Sequence, residues 1–348
     1  MGLIAIRSIP TIKRGTLFEL LFLAGSLFML FIAGSNPVVT SFATVFSGIV
    51  LEALPFMLLG SLAGGLIEVY VSRERLLSRL PAKTWRLVLV AAALGFVCPV
   101  CECAVVPVAK RLLGKGMPVP AVIAFLLGAP LVNPIVGIST AVAFSFNVPV
   151  ALLRLVSGYL IAVAAGLIMG RLYPDKSSLI VDKADTHLHN PSCGCELGDG
   201  YHLKSHHSRH GLMNAFRHAS ADFIAVAQFL VIGAFIAALF QTVIPRQSLA
   251  HFTTSPVSAI LVMMALAVAL NICSEADAFV AASFRFVMPF SAQFAFMLLG
   301  PMLDIKLVLM YTGLFRKRAI AMLSICVAAM VFLAVCSLHY LVPKGIWG

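Results

Sequence analysis

Nine predominantly apolar runs, at residues 17–34, 41–70, 87–109, 118–140, 146–170, 219–244, 256–281, 287–310 and 319–342, constrain this chain more than any other feature. A helix needs about 20 apolar residues to cross the hydrocarbon core of a bilayer, and these runs are near or above that length. Of the 348 residues, 61% are hydrophobic and 11% charged. A soluble domain carries about 25% charged residues, so a soluble fold has no interior that could hide this much apolar surface. The expected fold is an all-α integral membrane protein with lipid as its solvent and about eight or nine hydrophobic segments.

The formal net charge of +11 would fit a nucleic-acid binder, but the cations do not form one basic face. They sit in short clusters between apolar runs, such as Arg73, Arg75, Arg79, Lys83 and Arg86. Cytoplasmic loops of membrane proteins carry this excess of Lys and Arg, so the expected partner is the lipid bilayer and not nucleic acid. The first run follows Arg7, Lys13 and Arg14 and exceeds the core of a signal peptide, about 7–15 residues. It reads as a retained helix.

The organisation expected is an N-terminal transmembrane helix (1–40), a membrane repeat (41–174), a polar loop containing His and Cys (175–215) and a second membrane repeat (216–348). At an offset of 173, Phe56 and Gly60 fall on Phe229 and Gly233, and Glu102 falls on Glu275. At 171, Met117 and Pro118 fall on Met288 and Pro289, and Ala121, Ala124, Phe125 and Pro130 fall on Ala292, Ala295, Phe296 and Pro301. Internal repeats with a site at their interface are typical of secondary transporters. Charge bears on their orientation. If every run spanned, Lys110, Arg111 and Lys115 would be external and the uncharged link at 145–147 internal, against the positive-inside rule. If 87–109 and 256–284 instead enter and return on one side, the basic loops 73–86, 110–115, 171–217 and 316–318 all become cytoplasmic. Each repeat then has three spans and one re-entrant hairpin, and the odd count makes the repeats inverted.

Chemistry concentrates in Cys98-Pro-Val-Cys-Glu-Cys-Ala-Val-Val-Pro107, inside an apolar run. Pro99 and Pro107 disfavour a continuous helix, and a break at membrane depth is tolerated only against protein or a water-filled cavity. A carboxylate at the bilayer centre costs about 2.5–3.5 kcal/mol or more, so Glu102 is a functional candidate. On a helix Cys98, Cys101 and Glu102 would share one face and Cys103 would point elsewhere. The second half offers Asn271, Cys273, Ser274, Glu275 and Asp277, with Asn271, Ser274 and Glu275 at the same spacing. Together with Asn133, these are the candidate substrate-binding or proton-coupling residues. Paired thiolates and carboxylates suit soft or borderline metals and thiophilic metalloids, and the same acids could carry protons in a dry setting.

The polar loop adds His187, His189, Cys193, Cys195, His202, His206, His207 and His210, which could bind zinc or copper or form a plain His-rich linker. No phosphate-binding loop of the form GxxxxGK[ST] is present. A gradient or a separate subunit must therefore drive uphill transport.

The 98–107 motif, residues 110–116 and Gly128-Ala-Pro-Leu-Val-Asn-Pro134 resemble a family of predicted bacterial permeases described as subunits of a two-component membrane permease complex. The wider group is similar to organoarsenical and copper or zinc efflux permeases. The resemblance covers about 41–343 and is tightest over 95–137. It implies a multi-pass permease of the cytoplasmic membrane, an exporter rather than an enzyme, with a possible second membrane subunit. Glu102 departs from the Cys-Ser-Cys form of some relatives. Two other activities remain open on sequence: a membrane thiol-disulfide oxidoreductase using Cys98 and Cys101, and a non-transporting subunit.

Overall fold

The computed structural model describes residues 37–70, 74, 78, 81, 83–97, 101–173, 210–243 and 255–341. They form twelve helices and no sheet: α1 (Pro37–Tyr70), α2 (Thr84–Val97), α3 (Glu102–Gly114), α4 (Val119–Gly128), α5 (Pro134–Ala143), α6 (Val148–Leu172), α7 (His210–Val243), α8 (Pro256–Leu270), α9 (Asp277–Ser283), α10 (Phe290–Leu299), α11 (Ile305–Tyr311) and α12 (Lys317–Leu341). Three helices, Val38–Ile67, Val148–Leu172 and Lys317–Tyr340, are long and apolar enough to cross a membrane. Six shorter apolar helices accompany them. The run at 17–34 lies outside the described residues.

Four apolar runs are each divided between two helices: one ends at Val97 and resumes at Glu102, and the others are interrupted at 129–133, 271–276 and 300–304, of which 118–140 and 287–310 were expected to be continuous. Local chemistry explains the restarts. Asn133 caps α5 by accepting from the Ile135 N–H at 2.9 Å, and Pro134 follows at the first helical position. Asp304 caps α11 by accepting from the Leu307 N–H. Asn271 ends α8 with φ 55° and ψ 42°, the left-handed conformation that stops a helix. Pro107, expected to help break its run, instead sits inside α3. The order long, broken, broken, long therefore occurs twice, as α1 to α6 and as α7 to α12.

Close approaches set the directions of these pieces. Pro120, at the start of α4, lies beside Gly166 and Gly170 late in α6, while Leu131 lies beside Gly158 and Gly137 beside Leu155. The pair α4–α5 therefore runs antiparallel to α6 along most of its length. Val88 near the start of α2 meets Gly166, and Gly95 near its end meets Ala129, so α2 runs parallel to α4. Helix α3 then ends at Gly114, four residues before α4 begins, and so returns to the side from which α2 entered. In the second half Ser291 at the start of α10 meets His339 late in α12 at 3.0 Å. Helix α9 likewise returns, through a short turn, to the start of α10. The innermost pieces are α4 and α10, each buried along nearly its whole length.

The long helices α1 and α7 pack together over much of their length, and Phe42 and Phe46 of α1 meet the ring of Phe235 of α7 at centroid distances of 5.2 and 6.3 Å. Glycines permit two very close crossings at the centre. A Cβ on Gly60 of α1 would lie 2.5 Å from the Ala104 Cα, and one on Gly233 of α7 would lie 2.8 Å from the Lys306 Cα. The two glycines align at the sequence offset of 173, yet one rests on α3 and the other on α11.

Candidate functional site

The breaks bring short polar segments into the middle of an apolar core. At the first, Cys101 is the residue before α3 and has an extended backbone, φ −71° and ψ 166°. The chain is thus unwound there, and the shared helical face expected for Cys98, Cys101 and Glu102 does not form at Cys101. Cys101 and Cys103, on either side of Glu102, are both buried. Cys98 lies outside the described residues.

Glu102 opens α3 and is 2% exposed. Its Oε1 accepts from the Lys306 ammonium at 3.0 Å, across 204 residues of sequence. Lys306 belongs to α11 and also lies 3.6 Å from the Asp304 Oδ2. Its backbone N–H donates to the Asn271 Oδ1 at 3.2 Å. Glu102 Oε2, Asp304 Oδ2 and Asn271 Nδ2 are buried without hydrogen-bond partners.

Asp277, like Glu102, is an acid at the first position of a helix that follows a break, whereas Glu275 lies within the break before α9. Asp277 is met by Arg154 of α6, whose Nη2 donates to Asp277 Oδ2 at 2.8 Å and to the Ser274 carbonyl at 3.1 Å. The Arg154 Nη1 donates to the Thr140 hydroxyl at 2.7 Å. Arg154 is wholly buried.

Cys273 donates to Glu52 of α1 at 2.7 Å and also contacts Glu275, while the Ser274 hydroxyl donates to Glu275 at 3.2 Å. The unwound backbone of 271–276 means that Asn271, Ser274 and Glu275 do not form the helical face their spacing implied. A small cleft opens here, lined by Ile49, Glu52, Phe56, Cys101, Asn271, Cys273 and Lys306. Glu52 stands exposed at its edge. Asn133 lies apart as a helix cap.

The cleft and its two ion pairs thus gather Cys101, Glu102, Cys103, Asn271, Cys273, Ser274, Glu275 and Asp277. They also bring in Glu52, Arg154, Asp304 and Lys306, which the sequence did not single out. A lone cation inside an apolar run was the available signal for Arg154 and Lys306. Among the described residues, no three His, Cys, Asp or Glu side chains converge closely enough to hold a metal ion. His187, His189, Cys193, Cys195, His202, His206 and His207 lie outside the described residues, and His210 opens α7.

Residues 38–340 match the family described as predicted permease. The chain belongs to the predicted permease family. It is 36% identical over 280 residues to the UPF0718 protein YcgR of Bacillus subtilis, covering 80% of this chain and 90% of that one. It is 35% identical over 277 residues to a protein of Streptococcus mutans named "Putative two-component membrane permease complex subunit", covering 79% and 87%. No solved structure matches the chain. The family places a permease in a membrane, consistent with a transporter rather than an enzyme.

Proposed function

We propose that this chain is a gradient-driven efflux permease of the cytoplasmic membrane for a small thiophilic cargo: a soft metal, a metalloid or a small conjugate of one. The cargo passes through the central cleft, where the thiols of Cys101 and Cys273 meet it and Cys103 lies behind Cys101. The observation that carries this reading is the meeting of two helix breaks from opposite halves at one cleft, joined by the Glu102–Lys306 pair. Broken helices at a repeat interface are where secondary transporters bind their substrates.

In this reading the two halves are inverted repeats. The hairpins α2–α3 and α8–α9 are re-entrant from opposite faces, and α1, α4–α5 and α6 of the first half span. Charge supports the orientation. The face holding the links after α1, α3, α6 and α11 carries Lys83, Lys110, Arg111, Lys115, Arg171 and Arg316–Lys317–Arg318, and is therefore cytoplasmic.

Metal and metalloid accumulation in cells with and without the chain tests this proposal. Cells making the chain should accumulate less of at least one thiophilic element, and Cys101→Ser should remove the difference. Equal accumulation across a panel of soft metals and metalloids would count against export of this class.

A second reading, that the chain works as one subunit of a complex, is favoured by the name of the streptococcal relative and by the exposed carboxylate of Glu52 in an otherwise apolar stretch of α1. Export by the purified chain alone in liposomes would rule it out.

A further inference from the structure

We propose that Glu102, Lys306 and Asp304 hold one exchangeable proton between them, and that this triad couples the permease to a proton gradient. The proposal rests on the permease reading above and adds the driving ion.

Charge balance separates the two buried acid–base clusters. Arg154 and Asp277 match one to one, at 2.8 Å. The other cluster sets two carboxyl groups against one ammonium, with Lys306 Nζ 3.0 Å from Glu102 and 3.6 Å from Asp304. All three side chains are at most 3% exposed. An excess charge in so dry a place is costly, and a carboxyl group there relieves it by staying protonated. Hydrogen bonding points the same way. Glu102 Oε2 and Asp304 Oδ2 are both buried without a donor, and a proton on either acid neutralises the excess.

Among the described residues, the surroundings supply no second cation within ion-pair distance. From α3 the neighbours are the thiols of Cys101 and Cys103, and from α11 the phenol of Tyr311. Helix α7 presents the bare backbone of Gly233. The break after α8 presents the Asn271 amide, with the acids Glu275 and Asp277 beyond it. Among the described residues, Lys306 is the cation within ion-pair distance of either carboxyl. Lys306 lines the cleft whose edge is the exposed Glu52.

Infrared spectroscopy of the purified chain in lipid, without cargo, reads this directly. At neutral pH the wild type should show the carbonyl stretch of a protonated buried carboxyl, which shifts in D2O and fades as pH is raised. Glu102→Gln and Asp304→Asn should each remove it, because the remaining acid then balances Lys306. Lys306→Gln should roughly double it, and Asp277→Asn should leave it in place. A band that survives both Glu102→Gln and Asp304→Asn, or a wild type with no such band, would overturn the proposal. So would a band that appears only when sodium is withdrawn, since sodium would then be the occupant. The wild-type titration needs no variant to fold. Absence of the band removes the proton site while leaving export untouched, whereas a normal band in a chain that exports nothing removes only the permease reading.

Discussion

Two acids open two half-helices at the centre of this permease, and different cations answer them. Arg154 is a forked, permanently charged group that reaches three acceptors at once, and Lys306 is a compact point charge beside a cleft. The first arrangement suits a fixed strut between the halves, and the second suits exchange. Replacing Arg154 with Met should therefore strand Asp277 in the dry core at a cost of about 3–5 kcal/mol. Thermal unfolding in detergent should show a large fall in Tm, and adding Asp277→Leu should restore most of it. An unchanged Tm for Arg154→Met would remove the strut. Glu102→Gln, by contrast, should reach the membrane in normal amounts and fail to export, since Gln keeps size and polarity but cannot ionise. Export at the wild-type level by a normally inserted Glu102→Gln chain would take the acid out of the mechanism. These pairings were invisible in sequence for a simple reason. Arg154 lies 123 residues from Asp277 and Lys306 lies 204 from Glu102, so only the crossing of the halves joins them. The acids themselves were legible, because a carboxylate in an apolar run stands out whatever its partner.

The helices owe their central crossings to the absence of side chains at a few points. Gly60 lets α1 rest on the backbone of α3, and a Cβ there would meet the Ala104 Cα, Cβ and carbonyl within 2.6 Å. Backbone cannot step aside as a flexible side chain can. Gly60→Ala should therefore destabilise the chain by about 1–3 kcal/mol through overpacking. Gly48→Ala on the same helix, where nothing lies within 4 Å, should leave Tm unchanged or slightly raised. Equal Tm values for the two variants would show that the crossing is looser than described. At this scale the sequence was partly legible. The breaks before Glu102 and at 271–276 were marked by acids and, in the first, by the nearby Pro99 of the sequence. Those at 129–133 and 300–304 carried Pro130, Asn133, Pro301 and Asp304, but their runs were long enough to span whole, and length outweighed the caps. Pro107 misled in the other direction, because a helix can absorb one proline when neighbouring helices support the freed carbonyl.

At the scale of the whole molecule, the proposed arrangement has two halves entered from opposite faces, and topology tests it. Gly114→Cys, at the exposed end of α3, should react with a membrane-impermeant thiol reagent in inverted vesicles and not in intact cells, against the unsubstituted chain as background. Labelling from outside would mean that 84–114 crosses the membrane and would end the re-entrant reading. Reporters fused at Pro191 and Asn36 should read cytoplasmic and external, respectively. The expected orientation rests on the loops alone, because charge at the membrane faces follows a rule independent of the fold.

The two hairpins also have an electrical consequence. If, as proposed, each brings its own polar break from one face to the middle of the molecule, the water-excluding layer between the breaks is far thinner than the bilayer. A transmembrane voltage falls mainly across the least conducting part of its path, which here is the few residues from Cys101 to Lys306. A proton that shifts by a few ångströms there does nearly the full electrical work of crossing, about 2.3 kcal/mol for each 100 mV. Such a permease could draw on membrane voltage through a small local movement, with no helix carrying charge across the whole thickness of the lipid.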